Sequence, residues 1–256
     1  MKTKSTLKVS IITVCYNSAK TIEDTIQSVL TQGYKSIEYL IVDGQSTDGT
    51  LAILEKFKDQ LQYISESDKG MYDGLNKGIK KANGDIIGIL NADDFYIDNK
   101  VIEDVVELMT IENTDALYAD LYYVDAENTN QVKRYWKSGN YKHGDFKKGW
   151  MPPHPAFFLK KECYEKYGNF NLSLKTAADY ELMLRMLHKY KVPVSYLKRV
   201  IVKMRIGGMS NASFKNRWKA NRQDKKAWEI NGLKPAPYTF LFKPMRKIVQ
   251  FLKTRG

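Results

Sequence analysis

Short apolar runs and stripes of helical spacing alternate through the first part of the chain. Val9–Val14 is an apolar, β-rich run; turn-forming Tyr16, Asn17 and Ser18 follow, and Ile22, Ile26, Val29 and Leu30 then recur at helical spacing. Glu38–Val42 reads as a second strand. Its loop, Asp43–Thr50, is rich in turn formers and helix N-caps, and Leu51, Leu54 and Phe57 start the next helical stripe. Gln62–Ser65 is a short third strand, Met71, Leu75 and Ile79 mark a helix closed by Asn83 and Gly84, and Asp85–Leu90 is a fourth strand. Such alternation predicts an α/β fold with a mainly parallel central sheet and flanking crossover helices.

The second half is less regular. Ile102–Met109 is helical, and Ala116–Val124 with Gln131–Trp136 reads as a pair of strands. The loop from Gly149 to Pro155, which carries His154, leads to a strand at Ala156–Leu159. Tyr180, Leu184 and Leu187 give a helical face with Asp179 at its N-terminal end, Val192–Arg205 is strand-like, and residues 207–211 form a turn. A basic helix carrying Phe214, Trp218 and Trp228 follows, then Phe240–Leu252, where Pro244 sets the start of the last helix because proline suits a first turn and not an interior.

Composition adds one feature to this pattern. At 256 residues and 43% hydrophobic, the chain is ample for a real core. Its net charge of +12 is uneven: residues 198–256 hold 16 Lys/Arg against 2 acids, and residues 1–197 hold 25 against 27. A nearly neutral body with a basic tail suggests a polyanionic partner. Met245, Ile248, Val249 and Leu252 follow helical spacing with cations between them, which suits an anionic membrane surface contacted through residues 236–256. A helix packed on the body with a solvated basic face is the alternative. No nucleic-acid-binding motif accompanies the charge, so no nucleic-acid partner is expected.

Cys15 and Cys163 lack metal-type spacing and read as idle thiols of a reducing compartment. His143 and His188 read as surface residues. No run approaches the roughly 18 apolar residues of a membrane span, and no signal peptide is evident. The expected location is cytoplasmic, peripheral on the inner face of the cell membrane.

Candidate chemistry centres on Ile86–Asp94, an apolar strand that ends in two adjacent carboxylates. Neighbouring carboxylates repel unless a cation or donors neutralise them, and a hard divalent ion bridging them to phosphate would do so. A solvated turn capping the next helix fits this segment equally well. Tyr16–Ser18, Asp43–Thr50 and Asn91–Asp94 each follow a predicted strand, so all three should meet at the carboxyl edge of the sheet, where ligands dock. Such an edge suits a nucleotide. Neither GxGxxG nor a P-loop occurs, which disfavours the usual dinucleotide fold and P-loop chemistry.

Four blocks, Val9–Asn17, Leu40–Thr50, Ser65–Ile79 and Leu90–Asp94, resemble the family 2 glycosyltransferases of bacterial polysaccharide biosynthesis: inverting, nucleotide-sugar-dependent enzymes with a GT-A fold. The likeness covers roughly residues 7–210. It implies a GT-A domain over 1–210, with a nucleotide-binding half at 1–98 and an acceptor half at 99–210, and a basic helical extension over 211–256. By position, Asp43 matches the acid that contacts the nucleobase, and the loop at Tyr16 the segment around the base. Thr13, Asn17, Ser46, Asp68, Lys69 and Asn76 join them as nucleotide-binding residues. Asp93 falls to ribose or sugar, Asp94 to Mg²⁺ or Mn²⁺, and Asp179 to the catalytic base, with Glu181 behind it. The plain alternative for Asp179 is a helix N-cap. Leu75 stands where many relatives have Arg, and Asn91 where many have Asp.

The resemblance therefore implies transfer from a nucleoside-diphosphate sugar, UDP-linked first among them, to a glycan or lipid-linked acceptor. A sugar nucleotidyltransferase and a non-enzymatic membrane- or RNA-binding module are the competing readings.

Overall fold

The computed structural model describes residues 6–207 and 214–243, with side chains from residue 222 onward in the last helix. The expected strand-helix alternation is present: β1 (Val9–Cys15), α1 (Ile22–Leu30), β2 (Ile37–Asp43), α2 (Thr50–Lys56), β3 (Gln62–Ser65), α3 (Met71–Lys81) and β4 (Ile86–Ile89). These four strands pair in parallel, β2 between β3 and β1, and β1 between β2 and β4. Continuous pairing from Val9↔Ile37 to Cys15↔Asp43, and from Leu40↔Gln62 to Asp43↔Ser65, puts Cys15, Asp43 and Ser65 in one row at the carboxyl edge.

The remaining strands make the sheet more mixed than the sequence pattern suggests. They are β5 (Asp94–Tyr96), β6 (Ala116–Val124), β7 (Val132–Trp136), β8 (Phe157–Lys160) and β9 (Val194–Arg205), giving the order β3-β2-β1-β4-β8-β6-β9-β5 with β7 on β6. β8 runs antiparallel to both β4 and β6, and β5 antiparallel to β9, while β6 and β9 are parallel. Periodicity predicts a strand, not its neighbour, so direction in this half was not readable.

Helices α4 (Val101–Ile111) and α1 cover one face of the sheet, and α3, α5 (Lys161–Tyr167) and α6 (Ala178–Met183) the other. Helix α3 lies unusually close to β1. A Cβ on Gly78 would meet Ile12 Cγ2 at 2.5 Å, and one on Gly74 would meet Val14 Cγ1 at 2.8 Å. Glycine here lets the helix bring its first turn over the strand ends.

Helix α6 continues into a π-helical stretch, Leu184–Lys189, and α7 (Phe214–Ile230) packs against α6. Trp228 Nε1 donates to the Tyr180 hydroxyl at 2.9 Å. Beyond α7, residues 239–243 are helical and bound to the body: Thr239 Oγ1 donates to the Lys147 carbonyl at 2.6 Å, and Lys243 pairs with Asp224 at 2.6 Å and lies 3.8 Å from the Tyr180 ring centroid. The first part of the expected membrane segment 236–256 thus packs on the domain. Residues 244–256 with their Pro244-initiated helix, the turn after Gly207, and the side chains of Phe214 and Trp218 lie outside the described residues.

Candidate active site

Three loops meet at the carboxyl edge, laced by hydrogen bonds from backbone to side chain. Asn17 N donates to Ser46 Oγ at 2.8 Å, Thr47 N to Asn17 Oδ1 at 2.9 Å, and Ser18 N to Thr50 Oγ1 at 2.8 Å. Asp48 accepts from Ala19 N at 3.0 Å and Thr50 N at 2.9 Å. Asn17 (φ 50°) and Gln45 (φ 63°) adopt left-handed backbone to make these turns.

Asp43 is the acid expected against a nucleobase. It is fully buried, and its carboxylate accepts from Ser46 N (3.0 Å), Ser46 Oγ, Ser65 Oγ (2.6 Å) and the Cys15 thiol (3.6 Å). Four donors match the acceptor capacity of one carboxylate, so Asp43 organises the loop. Thr13 is likewise buried, 3.1 Å from the Tyr39 hydroxyl. The reachable groups are Tyr16, 63% exposed, and Asp68. A Cβ on Gly44 would sit 2.9 Å from Asp68 Oδ2 and 3.6 Å from the Tyr16 ring, so ring, glycine and carboxylate form one cluster. Lys69 lies exposed on the adjoining turn. Asn76 turns elsewhere: it donates to the Phe170 carbonyl at 3.0 Å, accepts from Phe170 N at 2.9 Å, and borders a shallow depression with Lys77, Lys80 and Lys161.

The acidic pair is held by its backbone. Thr21 Oγ1 donates to the Ala92 carbonyl at 2.9 Å, Thr25 Oγ1 to Asp94 O at 2.8 Å, and Arg205 Nη1 to Asp93 O at 2.8 Å. Asp94 is wholly buried; Oδ2 accepts from Asn91 Nδ2 at 2.8 Å and Oδ1 has no partner. Burial, then the charge of Asp93, push the Asp94 carboxyl well above the usual carboxylate range. Burial raises Asp93 too, against the opposing charge of Arg205. Of the pair, Asp93 is half-buried and Asp94 fully buried.

An unpartnered oxygen beside a second under-neutralised carboxylate fits a divalent cation. Among the described residues no group of three or more His, Cys, Asp and Glu side chains could cage one. An ion here would therefore take one or two carboxylates and draw its other ligands from phosphate and water, the habit of Mg²⁺.

Asp179 lies in the first turn of α6 but makes no capping hydrogen bond. Its Oδ1 instead accepts from the Tyr72 hydroxyl of α3 at 3.0 Å. Burial raises the Tyr123 hydroxyl of β6, with Arg134 opposing and the charges of Asp94 and Asp179 adding to the rise. His154, in the loop before β8, is 8% exposed with Nε2 unpartnered; burial lowers it and Asp179 opposes that shift.

Glu181 is unavailable as a base. It is buried, paired with Arg185 at 2.8 and 3.0 Å, and accepts from Asn231 Nδ2 at 2.9 Å. His188 is buried as well, contrary to its surface reading, and stacks on His143 at 4.8 Å. Tyr72, Arg205 and Tyr123 are the site residues the sequence pattern did not single out. Each sits inside a regular element, where periodicity marks only its apolar neighbours.

A polar carboxyl edge, an acidic pair and a separate carboxylate on this α/β scaffold suit a sugar-nucleotide-dependent class of transferase. The match to the glycosyl transferase family 2 model over residues 10–168 makes the assignment direct: the chain belongs to glycosyl transferase family 2. An uncharacterized glycosyltransferase of Mycobacterium tuberculosis is 29% identical over 180 residues, covering 69% of this chain and 68% of the relative. An Escherichia coli protein named as a UDP-Glc:alpha-D-GlcNAc-diphosphoundecaprenol beta-1,3-glucosyltransferase is 36% identical over 121 residues, 46% of this chain and 47% of the relative. The chain spans 41% of a glycosyltransferase of Rickettsia conorii, at 25% identity over 91% of this chain.

Two solved structures share the fold at low identity. Residues 1–349 of S. aureus TarS, in complex with UDP-GlcNAc, give a TM-score of 0.67 at 18% identity, covering 98% of this chain and 74% of that one. The mannosyltransferase of Pyrobaculum calidifontis, with GDP-Man and Mn²⁺, gives 0.68 at 19% identity, covering 98% and 71%. The fold is GT-A, and the protein is a glycosyltransferase. Family membership sets aside the nucleotidyltransferase and the purely non-enzymatic readings.

Proposed function

We propose that the protein is an inverting, metal-dependent glycosyltransferase that moves a hexosyl or N-acetylhexosaminyl group from a nucleoside-diphosphate sugar to a glycan or lipid-linked acceptor of surface-polysaccharide biosynthesis. The observation that carries this reading is the unpartnered oxygen of buried Asp94 beside Asp93, at a strand end of a glycosyl transferase family 2 domain. The Escherichia coli relative, named for a UDP-sugar and a lipid diphosphate acceptor, supports UDP as the donor nucleotide.

On this reading the base lies against Tyr16 and Asp68, with Asn17 and Lys69 at the rim; Asp43, Ser46 and Thr13 fix the loops behind them. Mg²⁺ or Mn²⁺ held by Asp93 and Asp94 would supply Lewis-acid stabilisation of the departing diphosphate. Asp179 takes the proton of an acceptor hydroxyl as that oxygen bonds to the anomeric carbon and the bond to the diphosphate breaks, since an alcohol is a poor nucleophile without a base. Displacement from the face opposite the leaving group inverts the anomeric centre.

The membrane partner is part of the proposal. Tyr238, Leu241 and Phe242 are exposed on the anchored turn, and the basic residues 244–256 follow them directly. Apolar side chains beside cations suit an anionic bilayer. Helices long and apolar enough to cross a membrane are absent among the described residues.

Calorimetry against UDP-, GDP- and dTDP-sugars with and without Mn²⁺, paired with transfer assays of Asp179→Asn, tests the reading. Metal-dependent binding of one donor is expected, and the variant should bind that donor yet lose transfer. Full activity in Asp179→Asn would overturn the assignment.

A further inference from the structure

The side chain of Asp179 is not held by its own helix. Helix α6 is short, begins at Ala178, and gives no side-chain cap. The carboxylate accepts instead from the Tyr72 hydroxyl, which lies 107 residues earlier on α3. Tyr72 is 8% exposed, and its ring stacks on Phe170 with centroids 5.5 Å apart and planes 25° from parallel. His154 meets the same Phe170 edge-on at 5.7 Å.

Phe170 is fixed in turn. Asn76, one turn beyond Tyr72 on α3, donates to the Phe170 carbonyl and accepts from its N–H, a two-point clip on the backbone. Helix α3 is itself seated on β1 by Gly74 and Gly78, which let it approach Val14 and Ile12. A continuous path therefore runs from the nucleotide-side strand β1, through α3, to the carboxylate of Asp179.

From this path we infer that Tyr72 is a positioning residue for the catalytic base, with Asn76 and Phe170 as its support. This rests on Asp179 being that base. A phenol O–H donates one hydrogen bond, and it is spent on Oδ1. That leaves the other carboxylate oxygen to receive the acceptor proton and restrains the rotation that would turn it away. Orientation of a reacting group is worth large factors in rate, and small misplacements lose them. Asn76, which the sequence places among nucleotide-binding residues, serves the base in this arrangement.

Replacing Tyr72 by Phe removes one donor and keeps the stacked ring. The base then keeps its place in the chain but loses its restraint, so the loss should fall on turnover and spare donor binding.

The experiment compares wild type, Tyr72→Phe, Phe170→Leu and Asp179→Asn in the full chain, with a UDP-sugar and a synthetic lipid-diphosphate saccharide acceptor. For Tyr72→Phe the expected result is a fall in kcat of about tenfold with an unchanged donor KM. Phe170→Leu should lower kcat by less, again with donor KM unchanged. Inactive Asp179→Asn with an unmoved kcat in folded Tyr72→Phe would overturn the inference and leave the base assignment standing. Active Asp179→Asn would overturn the base assignment itself. If Tyr72→Phe melts early, Phe170→Leu decides: a changed donor KM with an unmoved kcat overturns the positioning role.

Discussion

Arg205, the last residue of β9, donates to the backbone carbonyl of Asp93 at 2.8 Å while its other terminal nitrogen pairs with Asp24 of α1. One guanidinium thereby joins the far strand of the sheet, the first helix and the acidic loop. Its charge is also the nearby one that opposes protonation of both Asp93 and Asp94. Arg205→Ala should weaken Mn²⁺-dependent donor binding by about tenfold at neutral pH, with a larger loss at lower pH, because each carboxylate then holds its proton more tightly. Calorimetric titration at two pH values measures this.

Asp94 carries a stability consequence with a definite sign. Its carboxyl is raised in the folded state, so the native protein keeps a proton that the unfolded chain releases above about pH 4. Stability then falls as pH rises from that point toward the folded value. Asp94→Asn should raise the metal-free Tm at neutral pH by about 2–4 °C, and added Mn²⁺ should stabilise wild type but not the variant. Scanning fluorimetry with and without Mn²⁺ is the check.

Gly44 gives Asp68 room at the end of β2. A Cβ there would fall 2.9 Å from Asp68 Oδ2, so Gly44→Ala must displace that carboxylate. Donor KM is expected to rise several-fold with kcat little changed, the pattern of lost uniform binding. Steady-state kinetics distinguishes this from damage to the reacting centre, which would lower kcat.

Glu181 is predicted to be structural. Its removal leaves Arg185 buried, with its remaining bonds to the carbonyls of Tyr167, Gly168 and Asn169. Breaking a buried pair from one side costs about 3–5 kcal/mol. Glu181→Ala should therefore lose that much stability in urea unfolding, and any folded fraction should keep the wild-type pH profile.

Leu241 and Phe242 are exposed while Thr239 and Lys243 hold their turn to the body. Leu241→Glu with Phe242→Glu should reduce co-sedimentation with anionic vesicles about tenfold and leave transfer to a soluble acceptor unchanged. Unaltered vesicle binding would remove this turn from the membrane surface.

The sequence by itself determined the strand-helix alternation, because period-2 and period-3.6 patterns arise locally from burial of one face. It also placed Asp43 and the Asp93–Asp94 pair at strand ends. What it could not determine was which polar group faces inward. Asp43 and Asp94 read as ligand-facing acids, yet folding turns both inside, one saturated by four donors and the other with an oxygen left over. Strand direction after Asp94, the hydrogen bond from Asn231 to Glu181 and the hydrogen bond from Tyr72 to Asp179 were decided by tertiary structure alone. Each depends on contacts between segments distant in the chain, or on turns whose spacing carries no local signal.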